Sequence, residues 1–197
     1  MDTKILWLDV ETTGLSPYHN DIIQLAYMIE VNGVVKLERN LYMAPTNPDK
    51  IQEKALDVHG IRLDELLCFP PATEAHATFI ADLSTFINKF NKTDKLYLGG
   101  FNVHFDIEFL VNWFKKCNDK YLGSWVNWRR VDVLDAASHL AVLGGLQADN
   151  LKLVTLAEMF EVPIKAHDAL SDIKATRELY HKIMPLLGCL IRGAYDN

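Results

Sequence analysis

The stretch "ILWLDVETTGL", residues 5–15, decides how the chain is read. Four apolar residues lead into Asp9, Val10 and Glu11, and the run breaks at Thr12, Thr13 and Gly14. Such a run reads as the opening strand of a buried sheet. The i, i+2 spacing puts Asp9 and Glu11 on one face of that strand. Like charges that close raise each other's pKa, and a buried carboxylate costs more than a hydrogen bond returns, so the strand calls for a compensating cation. An acid that caps a helix or ends the strand near solvent would need none, and the pair alone leaves both readings open.

Working outward, residues 4–10, 21–31 and 34–43 read as three strands, the last two joined at Asn32-Gly33, the dipeptide that most favours a tight hairpin. The chain therefore opens as an antiparallel meander. The loop "APTNPDK" leads to a short helix around 51–57, then to "HGI" and Pro70-Pro71. From Ala72 to Phe90 apolar residues recur at helical spacing, which predicts one amphipathic helix. "LYLGG" (96–100) reads as a short buried strand, followed by a helix over 105–116, a strand near 129–133 and helices near 134–143, 151–160 and 168–186. Hairpin strands followed by strands alternating with helices predict a mixed sheet flanked by helices, one α/β domain over 1–197.

Composition narrows the class. With 197 residues, 49% of them hydrophobic, the chain can fill one sizeable core. A formal charge of −6 excludes a polycation that grips DNA or membranes through bulk charge, though bound cations can reverse the sign locally. Cys68, Cys117 and Cys189 are odd in number and widely spaced, so neither a disulfide framework nor a zinc cluster is expected, and a reducing cytoplasm fits. Asp2, Asp9 and Glu11 spoil a secretory signal, and no run approaches the ~18 apolar residues of a membrane span.

Two further stretches carry acids. "GGFNVHFDIEFL" (99–110) places Asp106 at the start of a helix after a buried strand, where ligands of mixed sheets gather; a first-turn acid favoured by the helix dipole is the plainer reading. "KAHDALSDIKATRELY" (165–180) places His167 just before a helix and Asp172 within its first turns, a workable base beside a metal site. Asp168 reads as a helix cap, as do Asp132 and, in a first turn, Asp135. Together Asp9, Glu11, Asp106 and Asp172 make an all-oxygen donor set of the kind that Mg2+ and Mn2+ prefer.

With these stretches in view, the chain resembles the DnaQ-like 3′–5′ exonucleases of the DEDD superfamily, histidine subtype, over nearly its whole length. "LDVETTGL", "FNVHFD" and "LAEMFEVPIKAHDALSDIKAT" are similar to the three exonuclease motifs, and "KALDVHGI" (54–61) to a segment of many relatives. His167 stands five positions before Asp172, as in the histidine subtype. Phe101-Asn102 departs from the His-Asn often found there. The resemblance implies an RNase H-like fold with a five-stranded mixed sheet. It implies two divalent ions, with Asp9 bridging both, Glu11 and Asp172 completing the site of the attacking water, Asp106 supporting the second ion, and His167 as general base. It implies that the backbone around Thr12 and Thr13 grips the terminal nucleotide, with Leu15 and Ile61 against its base and Asn102 at phosphate or sugar; core or turn roles for Leu15, Ile61 and Asn102 stay open.

The implied activity is release of 5′-mononucleotides from single-stranded or frayed DNA 3′ ends, with an RNase T-like exoribonuclease or a non-catalytic nucleic-acid-binding module as alternatives. A haloacid-dehalogenase-type phosphatase fits worse, because Glu11 is the wrong length for its second aspartate and the third stretch goes unexplained. Lys115, Lys116, Arg129, Arg130, Lys152 and Lys165 are scattered and read mostly as solvated surface. A DNA polymerase or a second copy is a conceivable partner, and the short tail after the third motif favours a stand-alone or dimeric nuclease.

Overall fold

The computed structural model describes residues 2–165 and 168–195, with side chains described as far as Arg192. Its five-stranded sheet has the order β3-β2-β1-β4-β5. Strands β1 (Lys4–Thr12), β2 (Ile22–Val31) and β3 (Val34–Tyr42) form the expected antiparallel meander. Strands β4 (Leu96–Gly100) and β5 (Val126–Asp132) add in parallel. At the β2–β3 turn Asn32 (φ 51°) and Gly33 (φ 79°) are both left-handed, the conformation that matches strand twist and that this residue pair tolerates.

The helices are α1 (Glu53–His59), α2 (Leu63–Leu66), α3 (Ala72–Phe86), α4 (His104–Lys116), α5 (Val133–Val142), α6 (Leu153–Met159) and α7 (Ala169–Tyr195). Alternation along β1 divides the core. Leu6, Leu8 and Val10 face Phe79, Leu83, Phe109 and Phe114 of α3 and α4. Ile5 and Trp7 face α5, α6 and α7 through Leu140, Leu156, Ile173 and Leu179. By that parity Asp9 and Glu11 point to the α7 side.

Three elements differ from expectation. The α3 periodicity runs on to Phe90, but Ile87 is already extended (φ −125°, ψ 129°) and buried elsewhere in the core. Strand β5 starts at Val126, hidden by the polar Asn127, Arg129 and Arg130 that break its alternation. Helix α7 continues through Pro185, where a ring costs an interior helix a hydrogen bond, because Ile183 and Leu187 pack on the core on either side. The α2 turn and the 3-10 turns Pro48–Lys50 and Leu122–Ser124 are too short to show a period.

Two buried ion pairs fix these layers. Glu30, in β2, takes Arg177 Nε and the Trp7 indole N–H (3.2 Å), while Arg177 also reaches the Gly33 carbonyl (2.8 Å), bolting α7 to the hairpin end of the sheet. Asp21 takes Lys116 Nζ (2.6 Å) from α4 and the backbone N–H groups of Thr46 (2.9 Å) and Asn47 (3.0 Å). Among the described residues no helix is long and apolar enough to cross a membrane.

Candidate active site

Strand β1 pairs with β4 only from Ile5 to Trp7 and continues alone beside β2, with a register shift between Glu11 and Thr12. Asp9 and Glu11 therefore stand on the stretch of β1 that β4 no longer pairs with, the end of the sheet where ligands usually gather. Two helices bring acids to it. In α4, Asp106 is buried in the first turn, and its Oδ1 accepts the Val10 N–H (3.0 Å), stitching the α4 layer to β1 between the two β1 acids. At the start of α7, Asp168 Oδ1 accepts the Ser171 N–H (3.0 Å), the expected cap, and sets Asp172 in the first turn.

The charges of the other three acids all bear on Asp9. Burial pushes the Asp9 carboxyl well above the usual carboxylate range, and the charges of Asp106, Glu11 and Asp172 push it further. Glu11 rises to about 7 through burial and then Asp172. Burial raises Asp106 to about 8 against the opposing Val10 hydrogen bond, with Asp132 and Glu11 adding to the rise. Asp9 is the acid that feels all three others. An all-oxygen set in which each anion penalises the next suits a hard divalent cation. Among the described residues no three such side chains stand in metal-holding geometry.

Asp132 does more than the expected capping. Its carboxylate accepts Leu134 N–H (3.1 Å) at the start of α5, and also the Asn102 (2.9 Å) and Val103 (3.0 Å) N–H groups of the loop that delivers Asp106. Asn102 is left-handed there (φ 56°) and exposed, so its turn role is met. Asp135 lies in the first turn of α5, 3.8 Å from Arg130. His104 and Glu108 face solvent 3.5 Å apart.

Beside Glu11 opens a cavity of about 320 Å3 lined by Thr12, Leu15, Val58, His59 and Phe105 among others. Leu15 is 79% exposed at its rim, which disposes of a core role. Thr12 lines the cavity and donates its hydroxyl to the Gly14 carbonyl (2.8 Å). Thr13 sits behind Thr12, inside the loop. It is fully buried, its N–H donates to the Asp21 carbonyl (2.9 Å), its hydroxyl accepts the Asp21 N–H (2.9 Å), and its carbonyl accepts the Gln52 N–H (2.9 Å), so it braces the loop from within. Ile61 is half-buried and stands outside the cavity lining; its N–H donates to His59 Nδ1 (3.0 Å). Burial lowers the His59 pKa, which disfavours its charged form. Val58, His59 and Phe105 escaped sequence reading, though "HGI" pointed at their neighbourhood. A second cavity, about 310 Å3, opens behind the same loop between Asn20, Phe109 and Trp113 and touches none of the four acids. His167 lies outside the described residues.

Residues 6–180 match the RNase_T exonuclease family. The chain belongs to that family. Among curated relatives, the PolC-type DNA polymerase III of Caldanaerobacter subterraneus subsp. tengcongensis is 28% identical over 95% of this chain. The oligoribonuclease of Ralstonia nicotianae is 28% identical over 67% of this chain and 59% of its own length. The chain spans about an eighth (12%) of the PolC-type relatives it matches. In fold it is similar to E. coli exonuclease I solved with a dT13 oligonucleotide (TM-score 0.79, 22% identity, 98% of this chain and 43% of that one). The RNase H-like exonuclease architecture is thereby established.

Proposed function

We propose that this chain is a metal-dependent 3′–5′ exonuclease unit that releases 5′-mononucleotides from single-stranded or frayed DNA. The observation that carries this reading is that the charges of Glu11, Asp106 and Asp172, from β1, α4 and α7, all bear on the buried Asp9, with Glu11 lining an open, largely apolar cavity. Acids this costly to ionise make sense where cations and a phosphodiester are the intended occupants. When bound by these four carboxylates, two divalent ions, Mg2+ or Mn2+, supply the Lewis acidity that such hydrolysis needs at the attacking water and the leaving oxygen.

The chain's own residues do the rest. The cavity takes the terminal base, with Leu15 at its rim against the base face and Val58 and Phe105 behind it. Thr13, Asn20 and Gln52 hold the loop that presents Leu15, so little ordering is left for the moment of binding. His167 takes the proton from the attacking water, a role open to a neutral imidazole with a pKa near ~6.5.

The oligoribonuclease relative favours a second reading, an exoribonuclease with the same machinery. The PolC-type relatives favour work beside a DNA polymerase. The deciding experiment digests 3′-labelled single-stranded DNA, duplex DNA with a mismatched 3′ end, and RNA, with Mn2+ and with EDTA. Labelled mononucleotide released from DNA with Mn2+, and lost in EDTA, in Asp9→Ala and in His167→Ala, is the expected result. Shortening of RNA alone would move the assignment to the second reading.

A further inference from the structure

An exposed aromatic and basic feature, Trp128 with Arg129 and Arg130, lies outside the candidate site. Strand β5 is an edge strand whose C-terminal end, at Asp132, frames the loop delivering Asp106. Midway along it the pairing with β4 jumps from Tyr97↔Asn127 to Leu98↔Arg130, leaving Trp128 and Arg129 unpaired in a bulge. Asn127 Oδ1 accepts the Arg129 N–H (3.0 Å) and fixes this bulge, and the indole of Trp128 rests within 3.4–3.7 Å of the point where a Cβ at Gly123 would stand. Bulges next to active sites commonly re-aim side chains. Here the bulge turns Trp128 out to 57% exposure, whereas Trp7, Trp113 and Trp125 are buried to 0%, 4% and 3%.

Arg129 and Arg130 follow Trp128 directly in the strand, and both are exposed. Arg130 lies 3.8 Å from Asp135, and among the described residues Arg129 makes no ion pair. Charge alone would guard an edge strand against pairing with another edge; an exposed indole adds apolar surface that such protection does not require. An exposed indole and an arginine without an ion pair among the described residues, adjacent in one bulge of a chain of formal charge −6, match a base and its phosphate. Trp128 precedes Asp132 by four residues, about 13 Å at about 3.3 Å per residue, a span of about four stacked nucleotides at about 3.4 Å each.

Resting on the exonuclease reading, we propose that Trp128 and Arg129 form an upstream subsite on the β5 edge, where a base of the single strand stacks on Trp128 and its phosphate meets Arg129, several nucleotides before the scissile bond. The subsite acts on how firmly a long strand is held and leaves the chemistry at its end alone. Substrates too short to reach it do not sense it.

The test uses the full chain and oligothymidylates of 2 to 12 nucleotides. In EDTA, dT12 quenches the fluorescence of the exposed tryptophan and shields it from iodide, and Trp128→Phe removes this signal. With Mn2+, Trp128→Ala and Arg129→Gln each raise KM for dT12 about tenfold, leave kcat and all dinucleotide kinetics unchanged, and Trp128→Phe regains most of the loss. Arg129→Gln also lowers the slope of log affinity against log salt by about 0.7. An equal KM rise on the dinucleotide, or no change at any length together with no quenching, overturns the subsite and leaves the face to a protein partner. If the wild type cuts no polynucleotide, the exonuclease reading fails by itself, and the EDTA titration still decides whether this edge holds a strand.

Discussion

At the residue scale Asp9 and Glu11 are hard to ionise because they are buried and face neighbouring acids. Glu11, raised to about 7, and Asp9, raised with it, hold protons in the folded state at pH values where the unfolded chain has released them. Stability of the metal-free protein should therefore rise as pH falls from 8 toward 5, the window between the raised and the ordinary carboxyl values. Glu11→Gln should flatten that rise by about 1–3 kcal/mol, allowing for screening at this half-exposed side chain, as read by urea denaturation in EDTA across that pH range. Gly14 is constrained in a different way. A Cβ there would sit 2.5 Å from Gln52 Cδ and 2.7 Å from the Asn20 amide, the clamps of the loop carrying Leu15. Gly14→Ala should raise KM for single-stranded DNA at least tenfold and cost less than about 2 kcal/mol in unfolding free energy, measured by initial rates and denaturation.

At the element scale the sequence was most informative where a period runs unbroken. The β1 alternation, the Asn32-Gly33 hairpin and the α4 stripe all read directly, as did the placement of Asp9 and Glu11 on one face. Strand β5 was half hidden because its bulge puts Trp128 and Arg129 out of step. The bracing of Thr13 could not be read from the sequence, because its partners Asp21 and Gln52 lie 8 and 39 positions away. Lys116, read as solvated surface, closes the buried pair with Asp21. That pair joins α4 to the loop ahead of β2, and Asp21 also satisfies two backbone N–H groups. Asp21→Ala should cost about 3–5 kcal/mol and Lys116→Met less, since Asp21 keeps its backbone donors; thermal melts compare the two.

At the scale of the whole molecule, the site is a seam between layers. Asp106 arrives from the α4 side, Asp172 from the α7 side, and β1 lies between them, so any change in how α7 rests on the sheet moves one acid against the others. Arg177 is the bolt, one and a half turns beyond Asp172 on the same helix. Neither it nor Glu30 announced itself, because ion pairing across 147 residues leaves no local pattern. Arg177→Met leaves Glu30 buried without its guanidinium and should lower unfolding free energy by about 3–5 kcal/mol, a fall in melting temperature of roughly 6–20 °C by calorimetry.

The account turns on four carboxylates sharing divalent cations, and uptake of Mn2+ tests it directly. Calorimetric titration at pH 7, repeated in buffers of different ionisation enthalpy, should show saturable binding that releases protons from the raised carboxyls, weakened at least tenfold in Asp9→Asn and in Asp172→Asn. Heats that show no saturable uptake, or uptake that neither substitution disturbs, would contradict it.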